Sequence, residues 1–304
     1  RQREREAGQR QRHEERRLAA AAETAGTPPP AAEQGSVTGS VPLTPIQHWF
    51  FERDLPEPDH FNQSVLLKTP PGLDPGVWPE ILMALVRHHD TLRSRFRREG
   101  GEWRQAIAAP DDPIPLEIVD LSGRTPEQQL TEIEAIGART QRNLRLAEGP
   151  LFRAVAFQFD ATCPGRLLLV AHHLSIDVVS WHILLEDLET ALAQRRPGAA
   201  IALPPKTSSF RDWAMRLQDY SRSDRLAGEW DYWSAAGQSA TGALPVDHPA
   251  TGTTNTAGSV ERVSIKLDAD RTRALLQETP GAYNTQINDV LLTTLVQALR
   301  QWTG

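Results

Sequence analysis

The chain has 304 residues, with 33 Lys and Arg against 39 Asp and Glu, for a formal charge of −6. That length is enough for one large domain or two medium ones, and the single cysteine, Cys163, excludes an intrachain disulfide framework and any multi-cysteine metal site. Residues 1–22 hold seven Arg and four Glu, leaving 26 basic against 35 acidic residues elsewhere, and so acidic a body argues against a nucleic-acid groove.

The basic start (Arg1, Arg3, Arg5, Arg10, Arg12, Arg16, Arg17) carries no interleaved aromatics and reads as a solvated helix or linker, with a contact arm as the alternative. Residues 23–40 are mostly Ala, Gly, Pro, Thr and Ser, too poor in large apolar side chains to offset their ordering entropy, and read as a linker. Globular character is expected from Val41. A strand is predicted over Asn62–Lys68, then a helix opened by Asp74–Pro75 with apolar residues at helical spacing (Val77, Trp78, Ile81, Leu82, Leu85, Val86), its start blurred by Pro79. Glu102–Ala108 and Pro115–Val119 are shorter strand candidates. Thr125–Pro126 caps a helix running to about Leu144. Leu151–Phe159 and Arg166–Ala171, separated by Asp160, Pro164 and Gly165, carry a hairpin signature. A helix follows from Val178 to Arg195, with Val179, Ile183, Leu184, Leu188 and Leu192 on its apolar face and Glu186, Asp187 and Glu189 elsewhere. Beyond a Pro-containing loop come a Trp-rich helical region (Trp213, Trp230, Trp233), a loop at 235–258, a strand Val260–Leu267, and helices near 269–279 and 286–302. The expected class is mixed α/β in two lobes. No apolar run approaches a membrane span and no signal-peptide pattern opens the chain, so the reading is a soluble, cytoplasmic protein. The only methionines are Met83 and Met215, so residue 1 is not read as a start and the chain is expected to be a piece of something longer.

The densest chemical feature is Ala171-His172-His173-Leu174-Ser175-Ile176-Asp177, at a strand–helix junction. Neighbouring strand side chains point to opposite faces, so the two histidines should diverge, which counts against joint ligation of one metal. Two readings stay open: one His is a proton-transfer group titrating near neutral pH, or both are hydrogen-bonded core or edge residues. Asp177 is placed to shape the loop at a helix N-terminus. There is no Gly-x-Ser-x-Gly elbow, P-loop or dinucleotide fingerprint. His88-His89 lacks an acidic partner at i+4 and reads as structural, Cys163 has no nearby His to activate it, and Trp181 reads as core before channel wall.

His-His-x-x-x-Asp resembles the condensation-type domains of nonribosomal peptide synthetases, within the superfamily of chloramphenicol acetyltransferase. Several segments are similar to the epimerization branch of that group: Thr44-Pro45-Ile46-Gln47-His48-Trp49-Phe50-Phe51, His60-Phe61-Asn62-Gln63-Ser64, Val179-Ser180-Trp181, Leu244-Pro245-Val246-Asp247, and Tyr283 to Leu292. The resemblance covers about residues 37–304. It implies a chloramphenicol acetyltransferase-like α/β fold, V-shaped and two-lobed, a mixed sheet flanked by helices with the active site between lobes. On that reading residues 1–36 are a charged arm and linker following an upstream carrier domain, 37–222 the N-terminal lobe and 223–304 the start of an incomplete C-terminal lobe. The implied reaction is removal and return of the Cα proton of an L-aminoacyl or peptidyl thioester, giving the D form. The substrate is carried on the 4'-phosphopantetheine of a peptidyl carrier domain, and no cofactor or metal is bound directly. The implied partners are that carrier and other synthetase modules, with no nucleic acid and no membrane.

His173 matches the family's catalytic second histidine, with His172, Asp177, Arg93, Ser180 and Trp181 as motif support. Arg87-His88-His89-Asp90-Thr91-Leu92-Arg93 resembles a shared motif whose last arginine pairs with the aspartate, which implies an Arg93–Asp177 ion pair. Two positions depart from the family: Val178 stands where Gly is usual, and His182 where Arg is common. The family's catalytic glutamate, in a Glu-Gly-His-Gly-Arg-Glu segment, has no counterpart in these 304 residues, so the fragment alone is expected to be inactive and prone to aggregate. The competing readings are a condensation domain, in which the same His assists amine attack, and a non-catalytic carrier-docking remnant.

Overall fold

The computed structural model describes residues 32–111, 114–195, 200–238, 244–247 and 256–303; the basic arm and residues 23–31 of the expected linker lie outside them, while the end of that linker joins the fold, with Val37 buried and Gly39–Ser40 in a strand. The chain divides into two compact units, residues 1–228 and 229–304.

In the first unit a three-stranded sheet joins β1 (Gly39–Val41), β4 (Glu102–Ile107) and β3 (Ser94–Glu99) in the order β1-β4-β3, all antiparallel. A four-stranded sheet has the order β2-β7-β6-β5, with β2 at Asn62–Pro71, β5 at Leu116–Asp120, β6 at Phe152–Gln158 and β7 at Pro164–His172. The β6–β7 hairpin is antiparallel as expected, while β5 joins β6 in parallel, so the sheet is mixed.

Its two faces follow the two-residue period of β7. Leu167, Leu169 and Ala171 face helix α2 (Trp78–His88) and helix α4 (Val178–Gln194), packing with Trp78, Ile81, Leu85, Leu184 and Leu188. Leu168 and Val170 face the other way, onto Ile136 of α3 (Pro126–Arg142), with Leu121, Leu144 and Phe157. Each such fully buried aliphatic side chain contributes roughly 1.5–3 kcal/mol. Local chemistry starts the helices where the sequence indicates. Asp74 accepts from the Gly76 N–H at 2.9 Å, heading a 3₁₀ turn at Pro75–Val77, and the α-helix proper begins at Trp78 with Pro79 in its first turn. Thr125 and Gln128 close a reciprocal capping box ahead of Pro126.

Three expectations are corrected. In α4 the buried residues are Trp181, Leu184, Asp187, Leu188 and Ala191, while Val179 and Ile183 are exposed. Trp181 takes the core-facing position, rotating the buried stripe away from the aliphatic pair. β3 was not expected, because Ser-Arg-Phe-Arg-Arg-Glu holds one large apolar residue; Phe96, fully buried, is what anchors it. In the second unit, 260–267 forms no strand, since none of the described residues pairs with its backbone, and Val263 and Ile265 stand fully in solvent. That unit otherwise holds helices, the longest at Trp230–Gln238 and Ile287–Thr303. The predicted loop at 235–258 thus starts later, and most of its residues are outside those described.

Candidate active site

β7 ends at His172, and the chain turns over His173–Ser175 before Asp177 opens α4. The two imidazoles diverge. His172 is completely buried; its Nε2 donates to the Pro58 carbonyl at 2.8 Å and its Nδ1 accepts from the Leu174 N–H at 3.1 Å. Phe50 meets it edge-on. Burial pushes its pKa down to about 4, opposed in part by the bond to Pro58 and the nearby Asp59. It is a neutral structural post at physiological pH.

His173 is half-buried, at the edge of the core that encloses His172. Its backbone N–H donates to the Phe61 carbonyl at 2.8 Å, and the Phe61 ring stacks on the imidazole with centroids 5.2 Å apart. Nδ1 lies 2.9 Å from the Ile176 carbonyl oxygen and Nε2 lies 3.3 Å from Nε2 of Gln63. Gln63 comes from β2, in the register that places it opposite Ala171. Its Oε1 accepts from the Trp181 indole N–H at 2.9 Å. The imidazole borders a cleft of about 400 Å³ lined by the apolar Ile46, Trp49, Phe50, Phe61 and Phe210, with Asp177 and Ser180 among its polar lining residues. An apolar cleft with a single basic nitrogen suits proton transfer to or from a carbon acid shielded from bulk water.

Asp177 is the N-cap of α4. Oδ1 accepts from both the backbone N–H and the hydroxyl of Ser180, each at 2.7 Å, and these bonds hold its carboxyl below the ordinary range. Arg93 is elsewhere, which corrects the expected ion pair. Its buried guanidinium pairs with Asp90 and donates to the carbonyls of Val86, Val37 and Ala108. Asp90 also meets Lys206 Nζ at 3.0 Å and the Val37 N–H. The guanidinium donors are engaged within this knot and Asp177 has its own helix to cap, so the two do not seek each other. Arg93 thus ties the start of the described chain to the α2–β3 turn, and supports the site only through the fold.

Gln63 is the site residue that the residue-level reading missed, although it lies within a quoted segment. A glutamine on a strand carries no chemical signal until the register sets it beside the imidazole. Asp187 is a second such case. Among the described residues, His88, His89 and Asp187 form one group whose potential ligand atoms all lie within 4.8 Å of one another. His89 Nε2 bonds Asp187 Oδ2 at 2.8 Å, while His88 Nε2 is 4.0 Å away. Burial lowers both histidine pKa values, against the pull of Asp187. The acidic partner absent at i+4 is supplied by α4, 98 residues on from His89.

Residues 37–304 match the family model of the condensation domain. This chain belongs to the condensation-domain family. Its fold is that family's mixed α/β fold: the crystal structure of the epimerization domain from the third module of tyrocidine synthetase B superposes with a TM-score of 0.80 at 35% identity, covering 90% of this chain and 61% of that one. The starter condensation domain of rhizomide synthetase shares the fold at 18% identity and a TM-score of 0.57. Among curated proteins, a linear gramicidin synthase of Brevibacillus parabrevis is 47% identical over 273 residues, and a surfactin synthase of Bacillus subtilis is 37% identical over a similar span. Each alignment takes in 90% of this chain but only 4% and 8% of the respective synthase, so the condensation-family chain described here corresponds to a small part of such relatives. None of its described helices is long and apolar enough to cross a membrane.

Proposed function

We propose that this chain belongs to an epimerization domain of a nonribosomal peptide synthetase and acts, in the cytoplasm, on an aminoacyl or peptidyl thioester carried on the phosphopantetheine of a neighbouring carrier domain. The observation that carries the reading is His173, whose imidazole lines an apolar cleft while its Nδ1 lies beside the Ile176 carbonyl oxygen. The likeness to an epimerization domain at 35% identity favours this branch over condensation. Nε2 takes the Cα proton, and the C–H electron pair delocalises onto the thioester oxygen as an enolate. A proton returned to Cα from the opposite face restores the thioester with inverted configuration. His173 is one of the two proton-transfer groups that such a reaction needs.

The test is to load the synthetase that carries this sequence with an L-aminoacyl carrier in deuterated water. Deuterium at Cα with accumulation of D product is expected. Dipeptide formation without Cα exchange would assign the site to condensation, where the same nitrogen assists the attacking amine. Unchanged product stereochemistry in His173→Ala would leave only a docking role.

A further inference from the structure

The contacts around His173 fix the placement of its protons by elimination. An indole N–H only donates, so the Gln63 atom 2.9 Å from Trp181 Nε1 is the amide oxygen. The amide NH₂ therefore faces His173 Nε2, and a hydrogen bond there requires Nε2 to accept. On the other side of the ring the Ile176 carbonyl only accepts, so Nδ1 must carry the proton. Two one-way groups, an indole and a carbonyl, thus leave one arrangement in which every bond is made.

We infer that Gln63, held by Trp181, is a positioning residue that keeps His173 in the Nδ1–H tautomer with the Nε2 lone pair free of a proton, and that opposes the imidazolium formed when the base is used. This rests on the reading of His173 as the proton-transfer group. The amide donor sits 3.3 Å from Nε2, a long bond that a substrate C–H readily displaces. Once Nε2 is protonated, its N–H faces the amide N–H, and the repulsion favours onward release of the proton. Trp181 enforces this because its indole blocks the amide flip that would otherwise turn Oε1 toward the ring. Packing strengthens the hold: Trp181 is buried against the sheet, and Phe61 stacks on the imidazole.

The decisive substitution is Gln63→Glu, nearly isosteric. One carboxylate oxygen still accepts from Trp181, but the other faces Nε2 and calls a proton onto it. With ¹⁵N-histidine in the full chain, wild type should show Nδ1 protonated and Nε2 bare at about pH 7.5. Gln63→Glu should show a protonated Nε2, retained to a pH at least about one unit higher than in wild type, as an adjacent opposite charge produces. In the synthetase, the acid limb of the Cα-exchange profile should move up by the same amount. If Gln63→Glu does not fold, Trp181→Phe releases the amide to flip and should shift the spectrum in the same direction by less. An Nε2-protonated wild type, or a spectrum unchanged in the folded variants, overturns the assignment. Because the spectrum is read without substrate, a domain found to condense and not to epimerize would sink the proposed function and leave this test standing.

Discussion

Acidification singles out the buried half of the histidine pair. His172 has an ordinary value of 6.5 when unfolded and about 4 when folded, because completing its burial excludes the water that would solvate an imidazolium. The native state therefore binds fewer protons than the unfolded state between those values, and stability is fully present above about pH 6.5 and lost as pH falls toward 4. At about pH 5 the loss from this one group comes to about 2 kcal/mol, and at about pH 4, where half of the native molecules carry the proton, to about 3 kcal/mol. The assay is urea unfolding at a series of pH values, followed by the fluorescence of Trp78 and Trp181, both buried in the first unit. His88 and His89 shift in the same direction, so the comparison must be with His172→Gln, which retains them. The glutamine keeps a donor for the Pro58 carbonyl but leaves the Leu174 N–H without its acceptor, at a cost of about 1–3 kcal/mol near neutral pH. That gap should close or invert by about pH 4. A gap that stays constant within about 0.5 kcal/mol across the series would mean that burial does not set this group's protonation, and the reasoning fails.

His173→Ala should lower Cα exchange by on the order of 10²–10⁴ with little change in melting, measured on the loaded synthetase and by calorimetry. Asp177→Ala removes the cap of α4 and should cost about 0.5–2 kcal/mol, read as a lower melting temperature and soluble yield; normal stability with lost exchange would instead give the carboxylate a chemical role. Asp187→Asn weakens the His89 contact between α2 and α4 and should cost about 1–3 kcal/mol, seen in urea unfolding at neutral pH. Arg93→Met removes one of the two cations on Asp90, Lys206 remaining, and leaves the carbonyls of Val86, Val37 and Ala108 without this donor; it should cost about 1–3 kcal/mol, with Arg93→Lys recovering only part of it, because an ammonium cannot reach four acceptors set around a planar fork.

What the sequence revealed depends on whether the signal was local. The caps at Asp74 and Thr125 are contained in a few consecutive residues and lie where they were expected, and the β6–β7 hairpin forms as its turn residues indicate, although Pro164 and Gly165 already belong to β7. The divergence of His172 and His173, expected from strand alternation, is realised with His172 as the last strand residue and His173 as the first of the turn. Gln63 and Asp187 escaped notice because each acquires its role from a partner more than 90 residues away, through a sheet register or a helix contact. The Arg93–Asp177 pair failed for the converse reason: a pairing of motifs was taken to be a pairing of side chains, while Asp90, three residues away, already held the guanidinium. Val260–Leu267 shows a third limit, since strand-like composition names no partner strand, and the backbone there has none among the described residues.

The tandem histidines make opposite demands that one turn satisfies. His172 must protonate Nε2, because Pro58 offers it a carbonyl, and leave Nδ1 bare for the Leu174 N–H. His173 must protonate Nδ1 for Ile176 and leave Nε2 bare beside Gln63. Strand alternation sends the first ring into the core, where desolvation keeps it neutral, and the turn brings the second to the edge of the cleft. The Leu174 amide and the Ile176 carbonyl, both within the turn, supply two of these four partners, so the turn that ends β7 also sets the protonation of both rings. An insertion of one residue in this turn would therefore disturb both rings together, removing the Leu174 donor from His172 and the Ile176 acceptor from His173. By the same logic, moving His173 to the Nε2–H tautomer needs no change at His172, and that separability is why Gln63, on a different strand, is the place from which the base alone is tuned.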